Sequence, residues 1–192
     1  MVPMKQKGKL FVITGPSGVG KGTVLGKFFE KNKEEIIYSI SATTRKARPG
    51  EVDGVNYFFI SKEEFEKEIE NGEFLEWANY SGNYYGTKKS FVEKTLNKGI
   101  NVLLEIEAQG AHNVMQSHPE CVSIFIAPPN LDELEKRLRG RNTESEEAII
   151  SRLNAVKREL EEAKNFKYII TNNKVEQAFL ELQNIYEAQK NS

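Results

Sequence analysis

Short apolar runs alternate along this chain with segments in which apolar residues recur at helical spacing. Residues 9–14 (Lys-Leu-Phe-Val-Ile-Thr) form an apolar run of strand length, and residues 20–32 carry the helical period. A short second strand is predicted at 36–40. Further on, the pattern predicts a helix at 88–97, a strand at 101–107, a helix at 108–117 and a strand at 121–127. Pro128 and Pro129 break the chain before a helix capped by Asn130, with Leu131, Leu134 and Leu138 on one face and Gly140 at its end. Thr143 and Glu146 have capping-box spacing and open a long helix whose apolar seam is Ile149, Leu153, Val156 and Leu160. A last strand at 168–171 precedes a helix carrying Val175, Phe179 and Leu182.

Residues 41–88 interrupt this alternation. They are rich in glycine, tyrosine and polar residues, with short runs such as Tyr57-Phe58-Phe59-Ile60. Within them, Ser61 and Glu64 form a capping box for a helix bearing Phe65 and Ile69, which Gly72 stops. The stretch reads as a small, mostly β insert. The rest predicts an α/β fold, a parallel sheet with helices on both faces. Ligands in such sheets lie beyond the C-terminal ends of the strands. Residues 15–23, Ser41, Glu105, Glu107 and Asn172 fall there.

Composition narrows the field. With 192 residues, 39% of them hydrophobic, the chain is expected to be one globular domain with inserted subregions. A net charge of −1 argues against a general nucleic-acid binder, so any basic site must be local. Cys121 is the only cysteine, which excludes an internal disulfide. No apolar stretch approaches a membrane span, and Lys5, Lys7 and Lys9 are not accompanied by an apolar signal core. A cytoplasmic protein with small-molecule partners, neither nucleic acid nor membrane, is expected. The sequence leaves its oligomeric state open.

The first strand runs directly into Gly15-Pro16-Ser17-Gly18-Val19-Gly20-Lys21-Gly22-Thr23. Glycines there let the backbone curl so that amide N–H groups point inward, the next helix adds its positive end, and Lys21 reaches the β- and γ-phosphates. A tight turn without a ligand is the plain alternative. The strand before and the helix after favour a triphosphate site. Gly22 stands where serine or threonine is usual, and Thr23 follows one place later.

Four further clusters carry chemistry. Arg45 and Arg48, near the hydroxyls of residues 41–44, suit a dianionic phosphate, although a solvated basic turn has the same pattern. Glu76 and Thr87 match guanine: a carboxylate accepts from N1–H and N2–H₂, and a hydroxyl donates to O6. Adenine would leave its N1 facing the anion, a mispairing that discriminates strongly when buried. A surface carboxylate is the plain reading of Glu76, and core packing that of Trp77. Glu105 and Glu107, two apart on the predicted strand, share a face and would meet Mg²⁺ through water, an acceptor nucleotide or an ion-pair partner. Arg137, Arg141 and Arg152 flank the connection after Gly140 and suit a lid that closes over a triphosphate, or a solvated charged hairpin. His112, His118 and Cys121 form no metal-binding or nucleophilic arrangement.

A triphosphate pocket, a monophosphate pocket beside a guanine-matching pair and bridging arginines imply phosphoryl transfer from ATP to GMP. At this point the chain resembles the guanylate kinase family over essentially its whole length. The motifs GPSGVGKGT, SATTRKARPGEVDGVNYFF, FLEWANYSGNYYGT, LLEIEAQGA and RLRGRNTESEEAIISRL stand in the family's order. The resemblance implies a P-loop NTPase-type sheet flanked by helices (core 1–38, 89–139 and 152–192), a mostly β GMP-binding insert (39–88) and an arginine-bearing lid (140–151). It implies that Ser41, Arg45, Arg48, Tyr57 and Tyr85 hold the GMP phosphate, that Glu76 and Thr87 read the base, and that Glu105 and Glu107 lie near the acceptor and metal. It further implies that Lys21, Arg137, Arg141 and Arg152 surround the transferred phosphate and that Asn172 lies near the ATP base or ribose. Mg²⁺ with ATP, and GMP or dGMP as acceptor, complete the expectation.

Two departures accompany the resemblance. Gly22 offers no hydroxyl, so metal coordination falls to Thr23 or to waters, and Ala47 occupies a position where the family often has proline. Two rivals stand beside the kinase reading. Guanylate-kinase-like domains of scaffolding proteins bind phosphopeptides at the GMP site but typically have damaged P-loops, whereas Gly15, Gly20 and Lys21 are intact here. A kinase for AMP or dTMP is the other.

Overall fold

The computed structural model describes residues 6–80, 82–140 and 145–192. Lys5, Arg141 and Thr143 lie outside the described residues. The strands form two sheets: a five-stranded one in the order β2-β7-β1-β8-β9 and a four-stranded one in the order β4-β3-β6-β5. In the larger sheet β1 (Leu10–Thr14) and β8 (Val122–Ala127) are buried along their whole length. Strands covered on both faces explain why their sequences are continuous apolar runs without alternation.

The chain gathers into two units. The first comprises residues 1–12 and 34–121. It contains β2 (Ile36–Tyr38) paired in parallel with β7 (Asn101–Glu105), and helices α3 (Lys89–Asn97) and α4 (Ala108–Ser117). The polar stretch folds here as the smaller sheet: β3 (Ala42–Thr43), β4 (Phe58–Phe59), β5 (Phe74–Tyr80) and β6 (Asn83–Lys88). Helix α2 (Lys62–Glu70) starts at Ser61, whose Oγ accepts from the Glu64 amide at 3.1 Å, as the capping box predicts. Its buried Phe65 stacks on Phe74 at 4.3 Å and on Tyr84 at 5.2 Å, fixing the helix to the sheet.

The second unit comprises residues 13–33 and 122–192. It holds α1 (Lys21–Asn32), α5 (Leu131–Arg139), α6 (Glu146–Glu162), β9 (Tyr168–Thr171), parallel to β8, and α7 (Val175–Gln189). Asn130 Oδ1 accepts from the Glu133 amide at 2.8 Å and caps α5. Leu134, Leu138 and Val156 form a buried cluster with Leu131, Leu153 and Leu160 packed against it, so the two predicted apolar seams face each other.

Several boundaries differ from expectation, each for a local reason. The strand predicted at 101–107 ends at Glu105, because the Glu107 carbonyl already accepts the Ala111 amide (2.9 Å) and Glu107 is the N-cap of α4. Lys88 pairs with Phe74 in the β5–β6 ladder, so α3 begins one residue later than predicted. Cys121, buried as expected, donates its amide to the His118 carbonyl in a turn, and β8 starts at Val122. Ser145 caps α6, its Oγ accepting from the Ala148 amide at 3.3 Å.

Candidate active site

The glycine loop lies in the second unit. Gly20, the N-cap of α1, has φ 90°, a conformation open to glycine at little cost. A side chain at Gly15 would bring its Cβ to 2.2 Å from the Ile126 carbonyl oxygen, so the loop can pass β8 only with glycine there. Lys21 folds back, its Nζ donating to the Gly15 carbonyl at 2.6 Å. That bond holds the ammonium across the loop mouth, where it can meet phosphate oxygens together with the first-turn amides of α1. Gly22 is exposed, and among the described residues nothing lies within 4 Å of where its Cβ would stand, so these residues do not require glycine at 22. Thr23 is exposed on the first turn of α1.

Elements around the loop brace it. Asn172, at the end of β9, is buried; its Nδ2 donates to the Val19 carbonyl at 2.7 Å, and its Oδ1 has no hydrogen-bond partner among the described residues. Arg152 on α6 donates from Nη1 to Ser17 Oγ at 2.9 Å. Arg137 on α5 donates to the Asn172 carbonyl at 3.2 Å and lies 3.4 Å from Glu133. Of the predicted arginines, two therefore reach the loop or the strand end beside it. Arg141 lies outside the described residues.

In the first unit, Arg45 is gripped from both sides. Its Nη1 and Nη2 each donate to the Glu51 carboxylate at 2.9 Å, and its plane lies over Tyr57 at 5.3 Å and Phe59 at 5.8 Å. Glu51 also accepts the Arg48 amide at 2.7 Å. Hydrogen bonds from Arg45 and from the Arg48 backbone hold the Glu51 carboxyl well below its ordinary range, at about 2. Tyr57 and Tyr85 meet edge to face at 6.0 Å, and burial pushes the Tyr57 hydroxyl up. Arg48 itself is exposed, and Ser41 is half-buried immediately before β3.

Glu76 on β5 and Thr87 on β6 are cross-strand partners. Thr87 Oγ1 donates to Glu76 Oε1 at 2.6 Å, and both residues are buried, Glu76 at 6% exposure. Burial raises the Glu76 carboxyl to about 7, against the lowering effect of the Thr87 side-chain and backbone hydrogen bonds. Glu105 ends β7 and accepts from the Tyr38 hydroxyl at 3.2 Å. Glu107 is exposed at the helix cap, so the two acids do not share a strand face. Trp77 is 40% exposed and meets Tyr84 edge to face at 5.7 Å, which corrects its reading as core.

Sequence reasoning missed Glu51, which sits in a polar turn with no periodicity to mark it. It missed Tyr38, and also Arg139, which ties α5 to α6 through Glu146 (2.5 Å) and also contacts Glu135 (2.7 Å). Only the spacing of charges, Arg45 to Glu51 and Arg139 to Glu146, hinted at these pairs.

A parallel sheet whose buried first strand enters a glycine loop closed by Lys21 defines a P-loop nucleotide-binding protein. The family model "Guanylate kinase" matches residues 7–189. A guanylate kinase of Prochlorococcus marinus (strain NATL2A) is 51% identical over 180 residues, 94% of this chain and 96% of that protein. One from Halalkalibacterium halodurans is 53% identical over 174 residues, 91% of this chain and 85% of that protein. The crystal structure of guanylate kinase from Anaplasma phagocytophilum has a TM-score of 0.80 at 34% identity, covering 98% of this chain and 89% of that one. The chain belongs to the guanylate kinase family.

Proposed function

We propose that this chain transfers the γ-phosphoryl group of ATP to GMP, yielding ADP and GDP, and that it also accepts dGMP. The observation that carries this reading is the buried Glu76–Thr87 pair, because a phosphate loop alone does not select an acceptor. An ionised Glu76 accepts from guanine N1–H and N2–H₂, and the Thr87 hydroxyl turns from the carboxylate to donate to O6. Adenine turns its bare N1 acceptor to the Glu76 carboxylate and offers Thr87 a donor in place of an acceptor.

Ser41, Arg45, Arg48, Tyr57 and Tyr85 hold the GMP phosphate, with Glu105 and Glu107 near the acceptor nucleotide. Residues 15–23 cradle the ATP phosphates, and Asn172, which braces the loop at Val19, lies near the ATP base or ribose. Lys21, Arg137, Arg141 and Arg152 neutralise charge on the transferred group. No general base is required: the acceptor phosphate, with a second pKa of about 6, is largely ionised at neutral pH. What the protein supplies is alignment and charge neutralisation between two anions that repel each other. Mg²⁺ fits the hard oxygen donors available, the Thr23 hydroxyl, waters and the phosphates themselves, and would add positive charge at the β- and γ-phosphates. Residues 39–88 form the GMP-binding insert, residues 140–151 the lid, and the rest the core. Closing the lid would exclude water and suppress ATP hydrolysis. Among the described residues no helix is long and apolar enough to cross a membrane. The cytoplasm is the proposed location because the proposed substrates are two small nucleotides.

A coupled assay of ADP formation with GMP, dGMP, AMP and dTMP tests this reading. Rapid turnover with GMP and dGMP alone is expected. Comparable turnover with AMP or dTMP would make it a different nucleotide kinase. Absence of turnover together with phosphopeptide binding would make it a binding module.

A further inference from the structure

Gly110 is the third residue of α4 and is buried. Its backbone is helical, with no positive φ to demand glycine, and helix propensity alone would favour alanine at this position. What keeps it bare is a neighbour. A Cβ at 110 would stand 2.3 Å from Glu76 Oε2, 3.1 Å from its Cδ and 3.7 Å from its Cγ. The first distance is far inside the roughly 3.5 Å at which non-bonded heavy atoms settle. All three of the nearest atoms belong to Glu76. The other carboxylate oxygen, Oε1, is held by Thr87 Oγ1 of β6 at 2.6 Å, while Oε2 occupies the space that a side chain at 110 on α4 would fill. An anion beside the first turn of a helix is also electrostatically favoured.

We propose that Gly110 is a positioning residue for base selection: its missing side chain leaves the space that the Glu76 carboxylate occupies and thereby sets the direction in which that carboxylate faces the purine. The inference rests on the reading of Glu76 as the guanine acceptor. A Cβ at 110 displaces the tip of a flexible side chain, not backbone. Its consequence therefore falls on recognition before it falls on stability. The acceptor oxygens rotate away from guanine N1–H and N2–H₂, and the binding advantage of a purine carrying both donors shrinks.

The test is Gly110→Ala alongside Glu76→Gln, with KM and kcat measured for GMP and for IMP, which lacks the 2-amino group. For Gly110→Ala we expect KM for GMP to rise on the order of tenfold or more, kcat to change less, and the preference for GMP over IMP to narrow. The double variant should be no worse than Glu76→Gln alone, since both changes disable one group. Wild-type KM and selectivity in Gly110→Ala, with selectivity lost in Glu76→Gln, would overturn the role of Gly110 and leave the base reading standing. Full GMP selectivity in Glu76→Gln would overturn the base reading and this inference with it. If Gly110→Ala melts early or fails to fold, Gly110→Ala/Glu76→Ala must recover the stability of Glu76→Ala. Failure to recover would mean that the Cβ collides with something other than Glu76, and the inference falls.

Discussion

The glycine loop at 15–23 and the cluster at 41–87 proposed to bind the acceptor both carry groups suited to anions, and they are built in opposite ways. The loop works with backbone: its shape follows from Gly15 and Gly20, and its one cation, Lys21, is tied back to a carbonyl of the same loop. The cluster works with side chains held by other side chains. Arg45 is clamped by Glu51 over Tyr57 and Phe59, and Glu76 is held by Thr87 in space left open at Gly110. The difference matches what each is proposed to recognise. A triphosphate tail is the same on every nucleotide, and amides that any chain possesses suffice to hold it once the turn has formed. Guanine differs from adenine in an added 2-amino donor and in the hydrogen-bonding direction at positions 1 and 6, so a carboxylate proposed to read it gains from being buried and oriented.

Lys21→Ala should lower kcat by roughly 10² to 10³ or more, the scale of losing one group that stabilises transition-state charge, while the melting temperature stays near wild type. Turnover close to wild type would show that the backbone amides do the work unaided.

On the acceptor side, Glu51→Ala frees the Arg45 fork. KM for GMP should rise on the order of ten- to a hundredfold, with KM for ATP changing little, because a displaced arginine still carries its charge but no longer its direction. Glu51→Gln, which keeps one acceptor oxygen, should fall between. Equal damage to both KM values would mean that the Arg45–Glu51 pair supports the fold and not the acceptor site.

The smallest effect expected is pH dependence. Glu76 must be ionised to accept from guanine, and in the free protein burial holds its carboxyl at about 7. Between pH 8 and pH 6, KM for GMP should therefore rise roughly tenfold beyond the change due to the GMP phosphate, and Glu76→Gln should lose that component. Stability runs the other way. A carboxyl raised by burial contributes stability below its ordinary value near 4.5 and loses it as pH rises through about 7. The free enzyme should melt lower at pH 8 than at pH 6, and GMP should raise the melting temperature more at pH 8. A pH-independent KM would mean that Glu76 stays ionised throughout.

Much of this molecule is legible in its sequence where a signal is local. The caps at Ser61 and Asn130, the facing seams of α5 and α6, and the glycine loop after β1 depend on residues within a few positions of one another. The pairing of Glu76 with Thr87 was also within reach, because guanine's chemistry names the residue types. The acids at 105 and 107 show where local spacing fails. Their separation promises a shared strand face, but the carbonyl of Glu107 is drawn into the first turn of α4, and the strand stops before it. Trp77 fails similarly, since nothing in its neighbours reveals that β5 turns it outward.

By itself the amino-acid order determined the element types, the phosphate loop and the family, since propensity, periodicity and glycine placement act over short stretches of chain. Tertiary structure alone decided that Glu51 grips Arg45, that Asn172 supports Val19 from 153 positions away, and that position 110 must stay bare for Glu76. Those facts concern orientation and clearance between segments remote in sequence, and such distances exist only after the sheets and helices have packed.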